Sequence, residues 1–330
     1  MVSPRSSEIW GKATELGITA FEDAKWVYLA LAHAHVPVDV LSEQQLAEGK
    51  LGPYKVVYVV GPNLRRDAAA KLAEWVRQGG ALWTDALGLS RDEANQPAAG
   101  LEELFGPGQR RLQRWGSVPE YRATTLAPLG ESDVPAGAAF SWDAPAPWGK
   151  GKAQARIGRE RLSPATGQVL ALFADGDAAV VRRACGKGEV IRAALWAGLT
   201  YSAQVRRKDY DMRRDFDPAL RALIAAPALA RRVHRPVVPS DPLVEAVLLE
   251  KDGKRSIALM NWSYRSGPGA RPGPEAMLQP ARQLSVALAG IGQIRSIRSL
   301  RHGPLPIGEA GGSQWVTLPE LTAIDLLVVE

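Results

Sequence analysis

The chain has 330 residues, 46% hydrophobic and 23% charged, with 32 Gly, 24 Pro and a net charge of +6. This composition excludes disorder and collagen, and one cysteine, Cys185, excludes an internal disulfide or a cysteine-rich metal site. No apolar run approaches the ~20 residues that cross a bilayer, and Met1-Val2-Ser3-Pro4-Arg5 does not open a secretory signal. The length suits two domains, and the sparse thiol usage suits a reducing, cytoplasmic compartment.

Phe21, Ala24, Val27, Tyr28, Leu31 and Ala34 recur at helical spacing, which predicts an amphipathic helix ended by Pro37. Residues 37–41 read as a short strand, and Ser42 as the N-cap of a brief helix over 43–48. The unit repeats. Residues 54–60 form an apolar, β-branched run expected of a strand buried on both faces, which Gly61-Pro62-Asn63 breaks. A helix over 66–78, stopped by Gly79-Gly80, and a strand over 81–85 follow. The alternation specifies an α/β class: a flavodoxin-like or amidotransferase-like, mainly parallel, doubly wound sheet.

Between Gly88 and Pro164 the pattern reads as a loop-rich insertion with one short helix over 101–105. Residues 169–173, 178–183 and 189–195, joined by Ala174-Asp175-Gly176-Asp177 and Cys185-Gly186-Lys187-Gly188, predict an antiparallel meander that extends the sheet. Helical segments near 200–208 and 217–230 come next, and Pro236, Pro239 and Pro242 mark a linker. Six short strands, over 244–250, 255–261, 283–287, 294–299, 314–318 and 323–329, then predict a small antiparallel β-sandwich, with Lys251-Asp252-Gly253-Lys254 as a hairpin turn. The expected division is an α/β domain over 1–205, a helical linker over 206–242 and a sandwich over 243–330.

No P-loop, G-x-G-x-x-G, H-E-x-x-H or G-x-S-x-G occurs, so no cofactor is implied. His33 and His35 are two apart at a helix end and point in different directions, and no metal site is expected. Cys185 sits on a hairpin rather than a strand-to-helix elbow and reads as structural. Open parallel sheets bind ligands beyond the carboxyl ends of their strands. The candidate ligand-binding residues there are Ser6, Ser7, Trp10, Asn63, Asp85, Asp92, Glu93 and Asn95, with the carboxylates available for acid/base work on a sugar. Trp142 and Trp148, in a loop reading, are candidate sugar-stacking platforms, whereas Trp26, Trp75, Trp83 and Trp196 read as core. The basic segment from Arg206 to Arg214 is interrupted by Asp209 and Asp211 and reads as a salt-bridged helix face rather than a nucleic-acid surface.

Residues 38–42, 51–62 and 72–82, the acidic loop over 92–97, and Gly186-Lys187-Gly188-Glu189-Val190-Ile191 together resemble the class I glutamine amidotransferase-like region of family 42 β-galactosidases, called the β-galactosidase trimerisation domain. Residues 245–261 and 316–328 resemble the β-domain that follows it. The resemblance implies a non-catalytic accessory region, partnered as a homo-oligomer or with a catalytic barrel domain. The family's catalytic glutamates belong to that barrel, and these residues do not supply eight βα units. The elbow positions Gly61-Pro62-Asn63 and Thr84-Asp85-Ala86 hold no Cys, so glutaminase activity is not implied. Five residues precede Ser6 where the family has its first strand, so the chain is expected to be a piece of a longer protein or to start at a degraded end. The alternative function is carbohydrate binding or hydrolysis at the strand ends.

Overall fold

The computed structural model describes the chain apart from residues 15–18, 99–100, 107–108, 116–135, 164–166, 206–209, 267–275, 290 and 330. The two-residue strand β1 (Val2–Ser3) leads into α1 (Arg5–Ala13) and α2 (Thr19–His33), and β2 (Leu41–Ser42) into α3 (Glu43–Ala47). Ser42 and Gln45 form a reciprocal capping box that starts α3. The strand expected over 37–41 reaches the ladder only at Leu41. Next come β3 (Val56–Val59), α4 (Arg66–Gln78) and β4 (Ala81–Thr84). The amides of Gly79 and Gly80 bond the carbonyls of Val76 and Trp75 and close α4.

The segment expected to be loop-rich contains α5 (Glu102–Phe105), β5 (Gln109–Arg114), β6 (Ala136–Ala144), β7 (Gly149–Arg156) and β8 (Gly158–Ser163). The expected meander follows as β9 (Gln168–Phe173), β10 (Ala178–Cys185) and β11 (Gly188–Ala193), then α6 (Ala197–Ser202), α7 (Met212–Asp215) and α8 (Pro218–Ala230). The main sheet runs β2-β1-β3-β4-β11-β10-β9-β6-β7. Pairing is parallel from β2 to β11 and antiparallel from β11 to β7.

The flavodoxin-like, mainly parallel expectation is therefore corrected: the sheet is mixed, and among the described residues strands outnumber helices, 22 to 8. The reading failed on β6 and β7, whose Ala and Gly content carries little intrinsic strand preference. Packing supplies it. Trp142 on β6 faces Gly151 on β7, and a Cβ at Gly151 would fall 2.4 Å from the indole, so the glycine makes room for the ring.

One face of the main sheet, through Tyr58, Trp83, Ile191 and Phe140, packs on α2, α6 and α8. The other, through Val57, Val59, Leu82 and Val190, packs on α3, α4 and α5. Tyr58 donates its hydroxyl to the Ile224 carbonyl of α8 at 2.9 Å. On α2 the buried positions are Ala20, Asp23, Val27, Ala30 and Leu31, while Phe21 points to solvent.

The remaining strands are β12 (Val237–Pro239), β13 (Val244–Lys251), β14 (Lys254–Asn261), β15 (Tyr264–Ser266), β16 (Ala276–Leu278), β17 (Ala281–Leu288), β18 (Ile297–Ser299), β19 (Gly303–Pro304), β20 (Ile307–Ala310), β21 (Ser313–Leu321) and β22 (Ile324–Val329). Sheets β12-β17-β21-β20 and β13-β14-β22-β18-β19 enclose a separate core of Val286, Leu288, Val316 and Leu318 against Ile257, Leu259, Ile297 and Leu327. Asp252 and Gly253 take positive φ in the β13–β14 turn, as a two-residue hairpin requires.

His33, at the end of α2, places Nδ1 2.8 Å from the Tyr201 hydroxyl and stands edge-on to Phe216 at 4.7 Å. Burial, aided by the Arg221 charge, lowers its pKa to about 3. The unfolded imidazole takes up a proton below about pH 6.5, whereas the folded one resists until near its own lowered value. Stability contributed at this position is thus present above about pH 6.5 and falls on acidification, by up to about 1.4 kcal/mol per pH unit. We predict that His33→Phe removes this slope, measured as the difference between the urea unfolding free energies of variant and wild type from pH 7 down to 4.

Candidate functional site

The carboxyl ends of β1, β3 and β4 bring most of the sequence-predicted residues into one hydrogen-bonded network. The Ser7 hydroxyl, at the start of α1, donates to the Asn63 carbonyl at 2.7 Å and accepts from the Asn63 amide at 2.8 Å. Asn63 Nδ2 donates to the Asp92 carbonyl at 3.0 Å and to Asn95 Oδ1 at 3.1 Å. Asp92 Oδ1 accepts from the amides of Ala94 and Gln96, and Oδ2 pairs with Arg66 at 2.8 Å. Burial works to raise the Asp92 pKa, but the Gln96 amide, Arg66 and the Ala94 amide outweigh it and hold the carboxyl below its ordinary value. Trp10 donates its indole N–H to the Glu93 carbonyl at 2.9 Å, and the Glu93 side chain accepts from the Arg66 amide at 2.9 Å.

Ser6 takes a different partner. Its amide and hydroxyl both donate to Glu43 Oε2, at 3.0 and 3.1 Å, and the Arg65 amide donates to Glu43 Oε1 at 3.1 Å. Neither α1 nor α4 has a side-chain cap of its own. The buried Glu43 carboxylate therefore occupies the position, between helix N-termini at strand ends, where open α/β sheets accept anions. Beside it lies a crevice of about 490 Å³ lined by Ile9, Trp10, Gln44, Arg65 and Glu93.

Asp85 lies one layer deeper. It is fully buried after β4, with Oδ1 accepting from the Gly61 amide at 3.3 Å and no hydrogen-bond partner for Oδ2 among the described residues. Burial pushes its pKa up to about 7, against the pull of the Gly61 amide and Arg110. Asp23 of α2 is equally buried, accepts from the Leu199 amide at 2.8 Å, and is raised well above the usual carboxylate range by burial and then by Asp85. Asp23 Oδ2 and Thr84 Oγ1 also lack partners among the described residues. On the sheet side, Glu160 accepts from Arg192 at 2.6 Å, from Arg110, and from the Leu87 amide at 3.0 Å, and these donors hold its carboxyl below the ordinary value despite burial.

Trp142 and Trp148 are not brought to this site. Both rings are buried in the first core, Trp142 stacked on Phe140 at 5.6 Å, so the loop platform expected from sequence is replaced by packing. Of the basic segment, residues 206–209 lie outside the described residues, while Arg213 pairs with Asp241 and Arg214 with Asp215. The sequence reading missed Glu43, Asp23, Glu160, Arg110 and Arg192. Asp23 carried a signal: it interrupts the buried stripe of α2 at the spacing of Ala20, Val27 and Ala30.

A family model for the β-galactosidase trimerisation domain matches residues 7–208. The chain belongs to that family. Among solved structures, this trimerisation-domain chain resembles a β-galactosidase from Bacillus circulans sp. alkalophilus, at 17% identity and TM-score 0.59, over 94% of this chain and 38% of that one. It also resembles the β-galactosidase of Rahnella sp. R3, at 16% identity and TM-score 0.60, over 93% and 36%. An α-L-fucosidase from Paenibacillus thiaminolyticus aligns at 14% identity and TM-score 0.53, over 94% and 45%. The chain thus spans 36–45% of the length of these proteins. No curated protein matches. The trimerisation-domain part of the sequence resemblance stands, but neither the matched family nor these structures carry the amidotransferase description.

Two predictions follow from the buried carboxyls. Asp85 keeps in the folded state a proton that the unfolded chain releases above about pH 4, so its contribution to stability is greatest below that pH and falls as pH rises through about 7. Relative to wild type, Asp85→Asn should become progressively more stable from pH 4 to 8 in thermal melts. Glu43→Ala removes the acceptor shared by Ser6 and Arg65, and chemical denaturation should show a loss of about 2–3 kcal/mol.

Proposed function

We propose that this chain is a non-catalytic accessory region of a glycoside-hydrolase-like protein, acting by assembly with copies of itself or with a catalytic barrel domain. Membership of the trimerisation-domain family over residues 7–208 carries the reading. The strand ends support it chemically. Asp92 and Glu43 have both oxygens bonded within the fold, and Asp85 is sealed from solvent, so these carboxylates serve as joints between loops and helices. A general acid/base pair acting on a glycosidic bond needs carboxyl groups that reach either side of it.

Absolute mass by light scattering at several protein concentrations tests this. The expected result is an oligomer, or a 1:1 complex when a barrel-containing partner is supplied. A monomer at every concentration that also ignores such a partner would overturn the proposal.

The crevice beside Trp10 favours a second reading, carbohydrate binding. A half-buried indole edge next to Gln44, Arg65 and Glu93 is the mixture of flat apolar surface and polar groups that sugars use. Saturable quenching of tryptophan fluorescence by a member of a glycan panel, abolished in Trp10→Ala, is the expected outcome on that reading. No response across the panel excludes it.

A further inference from the structure

A second concavity, of about 530 Å³, lies between α7, α8 and the C-terminal sandwich, within the ~300–1,000 Å³ range of small-ligand sites. Its floor includes the buried side chains of Phe216 and Leu284, and its rim carries Arg213, Arg221 and Arg282 against one carboxylate, Asp241. The three guanidinium groups are not equivalent. Arg213 is committed to Asp241 at 3.0 Å and to the carbonyls of Gln279 and Pro280. Arg282 meets Glu320 at 3.4 Å on the exposed edge. Arg221, half-buried, makes no ion pair among the described residues, and its charge acts on the Tyr201 hydroxyl.

The Arg221 charge acts on the groups beside it, where Asp217 and Asp241 also act, on Tyr201 and His35 respectively. His33 is held neutral down to about pH 3 by burial and then by the Arg221 charge, and His35 down to about pH 4 by burial, then Arg235, then Arg221, against the opposing pull of the Pro239 backbone and Asp241. A concave surface with low-dielectric walls on which one sign of charge predominates, here three guanidinium groups against Asp241, concentrates the opposite ion. Guanidinium forks match the oxygens of phosphate and carboxylate groups in a two-pronged fashion.

We propose that this crevice binds a small oxyanion-bearing molecule, with its phosphate or carboxylate group on Arg221, flanked by Arg213 and Arg282, and its apolar part on Phe216. The site is separate from the strand ends and does not depend on the assembly reading.

The test uses the full chain with inorganic phosphate, phenyl phosphate and benzoate as probes, followed by calorimetry and thermal melting. Phenyl phosphate should bind more tightly than inorganic phosphate because of the apolar floor, and comparison with benzoate separates a phosphate site from a carboxylate site. Arg221→Gln should weaken binding at least tenfold, Arg282→Gln by a few fold, and both effects should shrink with added salt. Tyr201→Phe, which removes the hydroxyl but keeps the guanidinium, should retain binding, as should Arg298→Gln on a remote surface. If Arg221→Gln does not fold, Arg282→Gln decides in its place. Absence of saturable binding by phenyl phosphate and benzoate below about 10 mM, an affinity too weak for a built site, overturns the proposal. So does unchanged affinity in the Arg221 or Arg282 variant, or an equal loss in Arg298→Gln.

Discussion

The main sheet changes from parallel to antiparallel at one strand, and the rest of the first core depends on how that strand is seated. β11 pairs in parallel with β4 and antiparallel with β10. The turn that feeds it presses against the end of α4: Lys187 donates to the Arg77 carbonyl at 2.9 Å and Glu189 to the Gly80 carbonyl at 3.1 Å. A Cβ at Gly188 would lie 2.0 Å from the Val76 carbonyl oxygen, so only glycine permits the approach. Glu189 then spans outward to Arg182 and Arg231, at 2.6 and 2.8 Å, tying the hairpin to the C-terminus of α8. The seam is held by backbone contact first and by charge second.

With β11 fixed, the carboxyl ends of β3 and β4 become an enclosed polar layer. In many open sheets such a layer awaits a ligand, and here the chain supplies the ligand groups itself. Glu43 bridges α1 and α4, Asp92 closes its own loop onto Arg66, and Glu160 gathers Arg110, Arg192 and the Leu87 amide. Each carboxylate meets charge-assisted donors, the condition under which a buried charge is tolerated. Asp23 and Asp85 are the exception, because they face one another electrostatically with amide donors alone on one oxygen each. Their raised pKa values and the lowered value at His33 act in opposite directions on the pH dependence of stability.

How much of this the sequence revealed followed from the kind of signal each element carries. The helix over 66–78 and its Gly79-Gly80 stop were readable because apolar periodicity and a C-terminal glycine are local properties. The same holds for the Ser42 cap and for the β13–β14 turn at Asp252-Gly253. β6 and β7 were illegible as strands because Ala, Gly and Lys reveal nothing until a partner is known, and Trp142 and Trp148 were misplaced along with them. The mixed character of the sheet was hidden for the same reason: it is set by which strands become neighbours. At the strand ends, Ser7, Asn63, Asp92 and Asn95, singled out by the topological rule, lie in one hydrogen-bonded network. That rule could not foresee that these groups would bind one another, nor that Glu43, on a five-residue helix, would complete the layer.

The same architecture, at 17% and 14% identity, occurs in proteins named for two different sugars, a β-galactosidase and an α-L-fucosidase. What these proteins share with this chain is the fold, and in this chain the polar layer at the strand ends is closed by its own Glu43 and Asp92 contacts. Charge and apolar area are left over on surfaces elsewhere, outside that layer. The crevice around Arg221 is one such surface, formed where α8 of the first core meets strands of the second. Its walls derive from residues 212–221, 240–243 and 280–284, and the family match ends at residue 208, before any of them. None of the residues that line it belongs to the seam at β11, so the two features are structurally separate.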